Sequence, residues 1–130
     1  MVATTKEAAL ASIAHKNFDN PDDARTPEKT RVEIVDLGAV KAGRFTMQPG
    51  WRWSSHIKPV VGTTTCQARH VGAVASGQLH VIGDDGFEAD LVPGDAYLIE
   101  PGHDAWVIGD EPFVGYEFET KTAENYATPQ

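Results

Sequence analysis

The sequence offers little support for a disulfide-stabilised, membrane-spanning or nucleic-acid-binding protein. Its one cysteine, Cys66, excludes an internal disulfide framework and fits a reducing compartment. No apolar run approaches the roughly 18 residues of a membrane-spanning helix, and the N-terminus lacks the apolar centre of a signal peptide. With 11 basic against 19 acidic residues, the net charge of −8 argues against nucleic acid or an anionic membrane as the main partner. We therefore expect a cytoplasmic protein.

The composition is that of one globular domain. The 130 residues are 41% hydrophobic and 23% charged, which is ordinary for a folded domain with a single core. Residues 4–15 are predicted to form a short helix, because a threonine cap precedes a weak apolar stripe from Ala8 to Ile13. Residues 17–29 are rich in Asn, Asp and Pro, which is typical of a loop. Residues 1–30 are therefore predicted to be an N-terminal helix and a connecting loop.

From Arg31 onward the chain breaks into short apolar or alternating runs that are typical of β-strands. They are RVEIVDL, GRFTM, HVGAVAS, QLHVIG, FEADLV, DAYLIE, AWVIG and FVGYEF, with Gly, Pro and Asp turns between them. Strands at this spacing, with no helical period between them, favour an antiparallel sandwich or barrel over residues 31–119. Leu79 and Val81 are expected to face the core and His80 to face outwards. Residues 120–130 are predicted to lie over the surface as a polar tail.

The segment from Gly50 to Gly77 resembles the first motif of the cupin superfamily. That motif is Gly, five residues, His, one residue, His, three or four residues, Glu, six residues, Gly. Here Gly50, WRWSS and His56 match its opening, Lys58 holds the second histidine position, and His70 holds the glutamate position before Gly77. The stretch between His56 and His70 is longer than the family spacing, and we expect it to form an extended hairpin.

The segment from Gly94 to Ala105 resembles the second cupin motif, which is Gly, five residues, Pro, one residue, Gly, two residues, His. Glu100 stands in the proline position, Gly102 matches, and Ala105 stands in the histidine position, with His103 two residues earlier. The resemblance covers residues 32–118. It implies an all-β fold, a cupin-type antiparallel jelly-roll β-barrel, here with a short N-terminal helix in front of it.

The resemblance also implies a metal site. It places His56, His70 and the position of Ala105 towards the barrel interior, where cupins hold their metal. Because residues two apart in a strand share a face, His103 shares the face of Ala105 where the chain is extended. We predict that His56, His70 and His103 bind a divalent transition metal (iron, manganese, nickel, copper or zinc) and leave open positions on it. Such a metal acts as a Lewis acid or activates water or dioxygen.

Cupins include dioxygenases, isomerases, epimerases, lyases, and binding or storage proteins, so three functions stay open. The leading hypothesis is a metal-dependent oxygenase, isomerase or lyase that acts on a small molecule in the barrel lumen. The alternative is a cupin without a metal that binds a small ligand, or that uses His70, Lys58 and Glu100 for acid–base chemistry. The third is a non-catalytic, dimeric binding or regulatory module. A homodimer is expected from the resemblance alone.

Aromatic residues are predicted to line the ligand pocket. The pocket residues that we predict are Trp51, Trp53, Cys66, Tyr97 and Trp106, since a lumen with aromatic walls and a few polar groups is the usual form of a ligand site. Cys66 has two interpretations: a small packed side chain, or a soft metal ligand or reactive thiol.

Overall fold

The computed structural model describes residues 12–129, which form nine β-strands and three short helices. The strands are β1 (Asp23–Arg25), β2 (Thr30–Asp36), β3 (Lys41–Met47), β4 (His70–Ser76), β5 (Gln78–Gly83), β6 (Glu88–Leu91), β7 (Ala96–Ile99), β8 (His103–Ile108) and β9 (Phe113–Glu117). The helices are α1 (Trp53–His56), α2 (Lys58–Val61) and α3 (Thr120–Asn125). None of these helices has the length and apolar content that a membrane crossing requires. The eight strands predicted from the alternating runs are β2 to β9, and β1 lies within the predicted loop.

The strands form two antiparallel sheets. The larger has the order β1-β2-β3-β9-β4-β7 and the smaller has the order β6-β5-β8. Inward-facing residues of both sheets pack into one core, in which Val32 and Phe45 of the larger sheet join Val81 and Val107 of the smaller. The predicted all-β jelly roll is confirmed. Across residues 12–129 it is a two-sheet sandwich, which is one of the two forms that the strand pattern left open.

A glycine sets the sharp turn between β4 and β5. Gly77 has a φ of +71°, and a Cβ atom at this position would lie 2.2 Å from the carbonyl oxygen of Pro112. Any other residue would therefore be strained and would clash with the strand connection beside it. Because this turn leads out of β4, it fixes the register of the strand that begins at His70.

The hairpin expected between His56 and His70 does not form. Residues 53–61 make two helical turns instead, and residues 62–69 lead irregularly into β4. Pro59 lies at the start of α2, where its missing N–H costs nothing, although it would have removed a ladder hydrogen bond from a strand. Gly62, with a φ of +82°, ends the turn in a left-handed conformation.

Both ends of the chain differ from the sequence prediction. Residues 12–15 are exposed and not helical, and the rest of the predicted helix over 4–15 lies outside the described residues. Residues 120–129 are not a tail over the surface, because α3 and the turn after it bury Ala123, Tyr126 and Ala127. These three apolar side chains pack against the core, and that burial stabilises the segment where its polar composition had indicated solvent.

Arg25 of β1 ties this segment down. Its guanidinium donates hydrogen bonds to the backbone carbonyls of Glu124, at 2.9 Å, and of Tyr126, at 2.7 Å. These carbonyls lie at the C-terminal end of α3, where backbone acceptors lack partners within the helix. The C-terminal segment is thus an integral wall of the molecule.

Candidate metal centre

Cys66, His70 and His103 lie together at one end of the sandwich. Their ligand atoms all lie within 4.8 Å of one another, and all three side chains are buried. Cys66 precedes β4 and pairs with the first residue of β8, since its N–H donates to the carbonyl of His103 at 2.8 Å. His70 is the first residue of β4, and its Nε2 lies 3.8 Å from the sulfur of Cys66. The topology thus brings the first residues of two strands and one residue of the segment before β4 to one point.

Acceptors fix which nitrogen of each histidine carries the proton. Nδ1 of His70 lies 2.7 Å from the carboxylate of Glu117, and Nδ1 of His103 lies 2.8 Å from the carbonyl oxygen of Glu100. Since a carboxylate and a carbonyl oxygen accept hydrogen bonds, both Nδ1 atoms donate, and in the neutral form of each ring the lone pair belongs to Nε2. Tyr97 donates its hydroxyl to the second carboxylate oxygen of Glu117 at 2.9 Å. A histidine that binds a metal through one ring nitrogen commonly donates a hydrogen bond from the other nitrogen to a carboxylate or a carbonyl oxygen, as both histidines do here.

The buried charges shift the pKa values of the thiol and the imidazole in opposite directions. Burial by itself raises the pKa of Cys66, but hydrogen bonds and charge from His103 and His70 outweigh it and lower the pKa to about 6. Burial lowers the pKa of His70, but the carboxylate of Glu117 and the contact with Cys66 outweigh it and raise the pKa to about 10. Without a metal, the protein therefore holds a thiolate beside an imidazolium near neutral pH.

His56, predicted as a metal ligand, lies apart from this group. It ends α1, and its Nδ1 contacts the backbone N–H of Arg52 at 3.0 Å, while its Nε2 is 4.0 Å from a carboxylate oxygen of Glu28. The prediction counted strand positions forward from Gly50, and the helical turns after Trp53 break that count. Cys66 takes the place beside His70 and His103 that His56 was expected to hold.

The two predicted catalytic residues lie at the surface. Lys58 is exposed on α2. The side chain of Glu100 is 64% exposed and pairs with Arg69 at 2.9 Å, and only its backbone carbonyl reaches His103. Neither side chain lines a cavity described below.

The described residues enclose two cavities, and four of the five predicted pocket residues line them. The inner cavity, about 30 Å³, lies between the sheets and is lined by Trp51, Trp53, Tyr97, both site histidines and other residues. The outer cavity, about 580 Å³, lies beneath α3, with Trp53 and Cys66 in its wall. Trp53 therefore contributes to both cavities.

Trp106, the fifth predicted pocket residue, faces away from both cavities. Its ring stacks on His80 with 4.5 Å between ring centroids, and the guanidinium of Arg52 lies over it at 4.1 Å. His80 contacts Asp90 and Glu88 on this outer face, as its strand position predicted. Trp106 differs from its predicted position in the pocket because it lies on the outward face of β8. Its neighbours Ala105 and Val107 face the core, and side chains alternate between the two faces of a strand.

Two residues of the site were not predicted from the sequence. Glu117 alternates with Phe113 and Gly115, so the parity of FVGYEF indicates a glutamate that faces the core, which is a usable signal for a functional group. Tyr126 lines both cavities, and its ring centroid lies 5.4 Å from that of His70. No strand or motif pattern marks it, because its position depends on how α3 packs.

Comparisons with known proteins identify the fold. A scan against protein-family models found no match, and neither did a search of curated proteins. A protein of unknown function from Rhizobium leguminosarum bv. viciae is 19% identical, with a TM-score of 0.60 over 83% of this chain and 97% of that one. A sugar phosphate isomerase of the cupin superfamily from Silicibacter pomeroyi is 14% identical, with a TM-score of 0.54 over 78% of this chain and 72% of that one. KdgF from a Halomonas species is 18% identical, with a TM-score of 0.55 over 83% of this chain and 92% of that one. The chain therefore has the fold of the cupin superfamily, as the sequence motifs implied.

Proposed function

We propose that the chain is a metal-dependent cupin enzyme whose ion is bound by Cys66, His70 and His103. The observation that carries this proposal is the convergence of three donor atoms within 4.8 Å, with both histidines held so that Nε2 is free to bind. Three protein ligands are the usual number in a catalytic site, because they leave a coordination position for substrate or water.

The donor set narrows the range of metals. A thiolate is a soft ligand that suits zinc, copper and iron, whereas manganese prefers carboxylate, carbonyl and water oxygens. Of the five metals predicted from the sequence, manganese therefore fits least well. The negative charge of the buried Cys66 thiolate offsets part of the positive charge of a divalent ion, which a cluster of three neutral imidazoles would not do.

An unpaired donor beside the histidines also supports a reacting centre. The indole Nε1 of Trp51 is buried without a hydrogen-bond partner among the described residues, and Trp51 lines the inner cavity with His70 and His103. A buried donor without a partner costs roughly 1–3 kcal/mol. The inner cavity has room for about one or two water molecules, and a polar group that reached Nε1 would satisfy this donor.

A bound metal would supply Lewis acidity or, for iron and copper, redox chemistry towards dioxygen. The residues of the chain have separate tasks around it. Glu117 fixes the ring of His70, Tyr97 holds Glu117 in place, and Trp51 lines the inner cavity beside both histidines. The identity of the metal decides between the reaction classes: zinc favours isomerase or lyase chemistry, and iron or copper favours an oxygenase.

A second candidate is chemistry without a metal, and one observation favours it. The sulfur of Cys66 lies 3.8 Å from Nε2 of His70, which is the arrangement of a nucleophile and its acid–base partner. This version of the metal-free alternative uses Cys66 and His70 and does not involve Lys58 or Glu100.

A homodimer also stays a prediction, which light scattering coupled to size-exclusion chromatography would check.

Cobalt binding to the untagged protein, stripped of metal with a chelator, separates the candidates. We expect one Co²⁺ per chain and a thiolate-to-cobalt charge-transfer band in the near ultraviolet. Cys66→Ser should lose the band and His103→Gln should lose most of the affinity, while circular dichroism monitors the fold. A wild-type protein that binds no Co²⁺, or binds it without the band, would overturn the proposal even if both variants failed to fold.

Two further histidine variants test the geometry. His15→Ala is the matched control, because His15 is exposed and far along the chain from the site. His56→Ala distinguishes the sequence prediction from the structure: we expect it to bind Co²⁺ with the wild-type spectrum. If His56→Ala abolished the band and Cys66→Ser kept it, the ligand set would be wrong.

A further inference from the structure

The space between the two sheets is too small for an organic substrate. Phe45, Met47, Trp51, Tyr97 and Phe113 line the inner cavity and leave only about 30 Å³. Sites for small molecules usually measure about 300–1,000 Å³. In the described part of the chain, the outer cavity of about 580 Å³ has this size. The body of a substrate therefore fits in the outer cavity, outside the sandwich. The sequence had instead predicted that the substrate binds in the barrel lumen.

The outer cavity reaches the candidate metal centre from the side of the cysteine. Cys66 lies in its wall, whereas His70 and His103 line the inner cavity. Trp53 and Tyr126 line both cavities and form the partition between them. A molecule in the outer cavity would thus contact one side of the three-residue cluster, with its body outside.

The walls of the outer cavity combine an apolar floor with a cationic rim. Trp53, Ile57 and Tyr126 supply apolar surface, and Arg69 and Lys121 supply positive charge. The carboxylate of Glu119 and the thiolate of Cys66, which also lies in the wall, oppose these two cations, so the lining of the metal-free protein is close to neutral (two cations less two anions) in a protein of net charge −8. The two cations lie at the rim, where they offer hydrogen-bond donors to an anion.

Arg69 retains hydrogen-bonding capacity for that anion. Its Nε donates to Glu100 at 2.9 Å and its Nη1 lies 3.5 Å from Glu119, and the contacts among residues 12–129 do not use its Nη2. Lys121 is exposed on α3 and makes no ion pair within the same residues. One unused guanidinium nitrogen and one ammonium match a single carboxylate better than a dianionic phosphate.

The cavity is already formed. Thr122 of α3 donates its hydroxyl to the backbone carbonyl of Arg69, and Arg25 holds the carbonyls of Glu124 and Tyr126. These contacts join α3 both to the segment before β4 and to β1, so the wall above the cavity is fixed at both ends. Sites for small molecules are usually preformed in this way.

We propose that the outer cavity binds a small organic carboxylate, with its apolar body against Trp53 and Tyr126 and its carboxylate on Arg69 and Lys121. The inference rests on the proposed function in one respect, that Cys66 belongs to the reacting centre. It names the class of substrate that this centre would receive, and it places the reacting end of the molecule next to the sulfur.

The test compares an acid with its neutral amide. Phenylacetate and phenylacetamide have the same ring and nearly the same shape, and their dissociation constants can be measured by ligand-observed NMR on the wild-type chain. We expect phenylacetate to bind roughly tenfold more tightly than the amide, since hydrogen bonds to charged groups are the stronger ones. Failure of phenylacetate to bind, or equal affinity for the two compounds, would overturn the proposal.

Three variants assign the recognition to the rim. Lys121→Gln and Arg69→Gln should each weaken phenylacetate binding roughly threefold to tenfold and leave the amide unchanged, because exposed ion pairs are individually modest. Lys16→Gln is the matched control, an exposed lysine that lines neither cavity. An equal loss in Lys16→Gln would mean that net charge alone attracts the acid, and would overturn the proposal.

The test of the carboxylate site can be separated from the test of the proposed metal centre. The same titrations are made on metal-stripped and on Co²⁺-loaded protein. Preference for the acid in a protein that binds no Co²⁺ would overturn the proposed metal function and leave the carboxylate site standing. If the protein bound Co²⁺ but had equal affinity for the acid and the amide, the carboxylate site would be overturned and the proposed metal function would stand. A change in the cobalt visible spectrum on adding phenylacetate would support the placement of the ligand beside Cys66.

Discussion

Replacing Tyr126 by alanine should destabilise the whole protein, because this side chain is the point where the C-terminal segment enters the core. Tyr126 is 5% exposed, and its ring packs at 5.0 Å from that of Phe45 and 5.4 Å from that of His70, measured between centroids. Aromatic residues truncated to alanine in a core cost about 3–5 kcal/mol. For a domain of this size that loss lowers the melting temperature by roughly 10–20 °C.

The assay is chemical denaturation of metal-stripped protein followed by circular dichroism, with Tyr126→Phe as the matched control. The phenylalanine variant keeps the ring and removes only the hydroxyl, so its free energy of unfolding should stay within about 1 kcal/mol of wild type. A tail lying over the surface would give a different result. If Tyr126→Ala cost less than about 0.5 kcal/mol, the range of ordinary surface substitutions, the reasoning would be refuted.

The same variant has a second effect, on access to the site. Tyr126 stands between the outer cavity and the inner one, and Cys66 is 3% exposed beside it. Without the ring, a thiol reagent such as a disulfide probe should reach Cys66 faster under native conditions. Equal modification rates in Tyr126→Ala, Tyr126→Phe and wild type would show that the ring does not shield the sulfur.

Two further predictions concern buried carboxylates. Glu117→Gln should weaken Co²⁺ binding roughly 10–100-fold, because an amide cannot accept from both His70 and Tyr97 as the carboxylate does; unchanged affinity in a competition titration would contradict this role. Glu33 accepts from Arg44 at 2.8 and 2.9 Å, and those hydrogen bonds lower its pKa below the ordinary 4.5. The Glu33–Arg44 pair therefore contributes its full stabilisation of the fold at a pH above the pKa that Glu33 has in the unfolded chain. That stabilisation is lost as the pH falls through the lower pKa that Glu33 has in the folded protein. Glu33→Gln should be less stable than wild type by about 1 kcal/mol at pH 7 and equally stable in acid, and a constant difference in urea midpoints across pH would contradict the pairing.

The regular part of the fold could be predicted from the sequence because its signals are local. Alternation of apolar and polar residues predicts each of the strands β2 to β9, and glycines such as Gly77 mark turns through the positive φ that they alone adopt easily. The cupin motifs added the overall layout. His70 was found in this way, at the start of the run HVGAVAS, whereas His103 came from its place beside the last position of the second motif, two residues before the predicted run AWVIG.

The rest of the site could not be predicted, because it depends on segments without a period. The ligand position beside His70 was assigned by counting from Gly50, and the helical turns at residues 53–61 break that count. Counting back from the turn at Gly77 is safer, since His70 and Ser76 bound one strand, β4, even though its pairing with β9 shifts register between Val74 and Ser76, and Cys66 lies four residues before His70. Tyr126 depends on the packing of α3, which spans only six residues and is too short for its sequence to predict.

Some residues of the site are positioned by the strands of the fold, and others are positioned by segments outside the strands. His70 and His103 begin β4 and β8, and Glu117 ends β9, so antiparallel pairing brings these three to one end of the sandwich. Those positions follow from the fold, and they supply the imidazoles and the carboxylate that orients one of them. Cys66 and the walls of the outer cavity come from residues 53–69 and 119–129, which are not strands. Neighbours with the same sandwich therefore need not share a ligand set or a substrate with this chain, and substitutions of exposed residues in these two segments, such as Arg69 and Lys121, should change what is bound before they change how the chain folds.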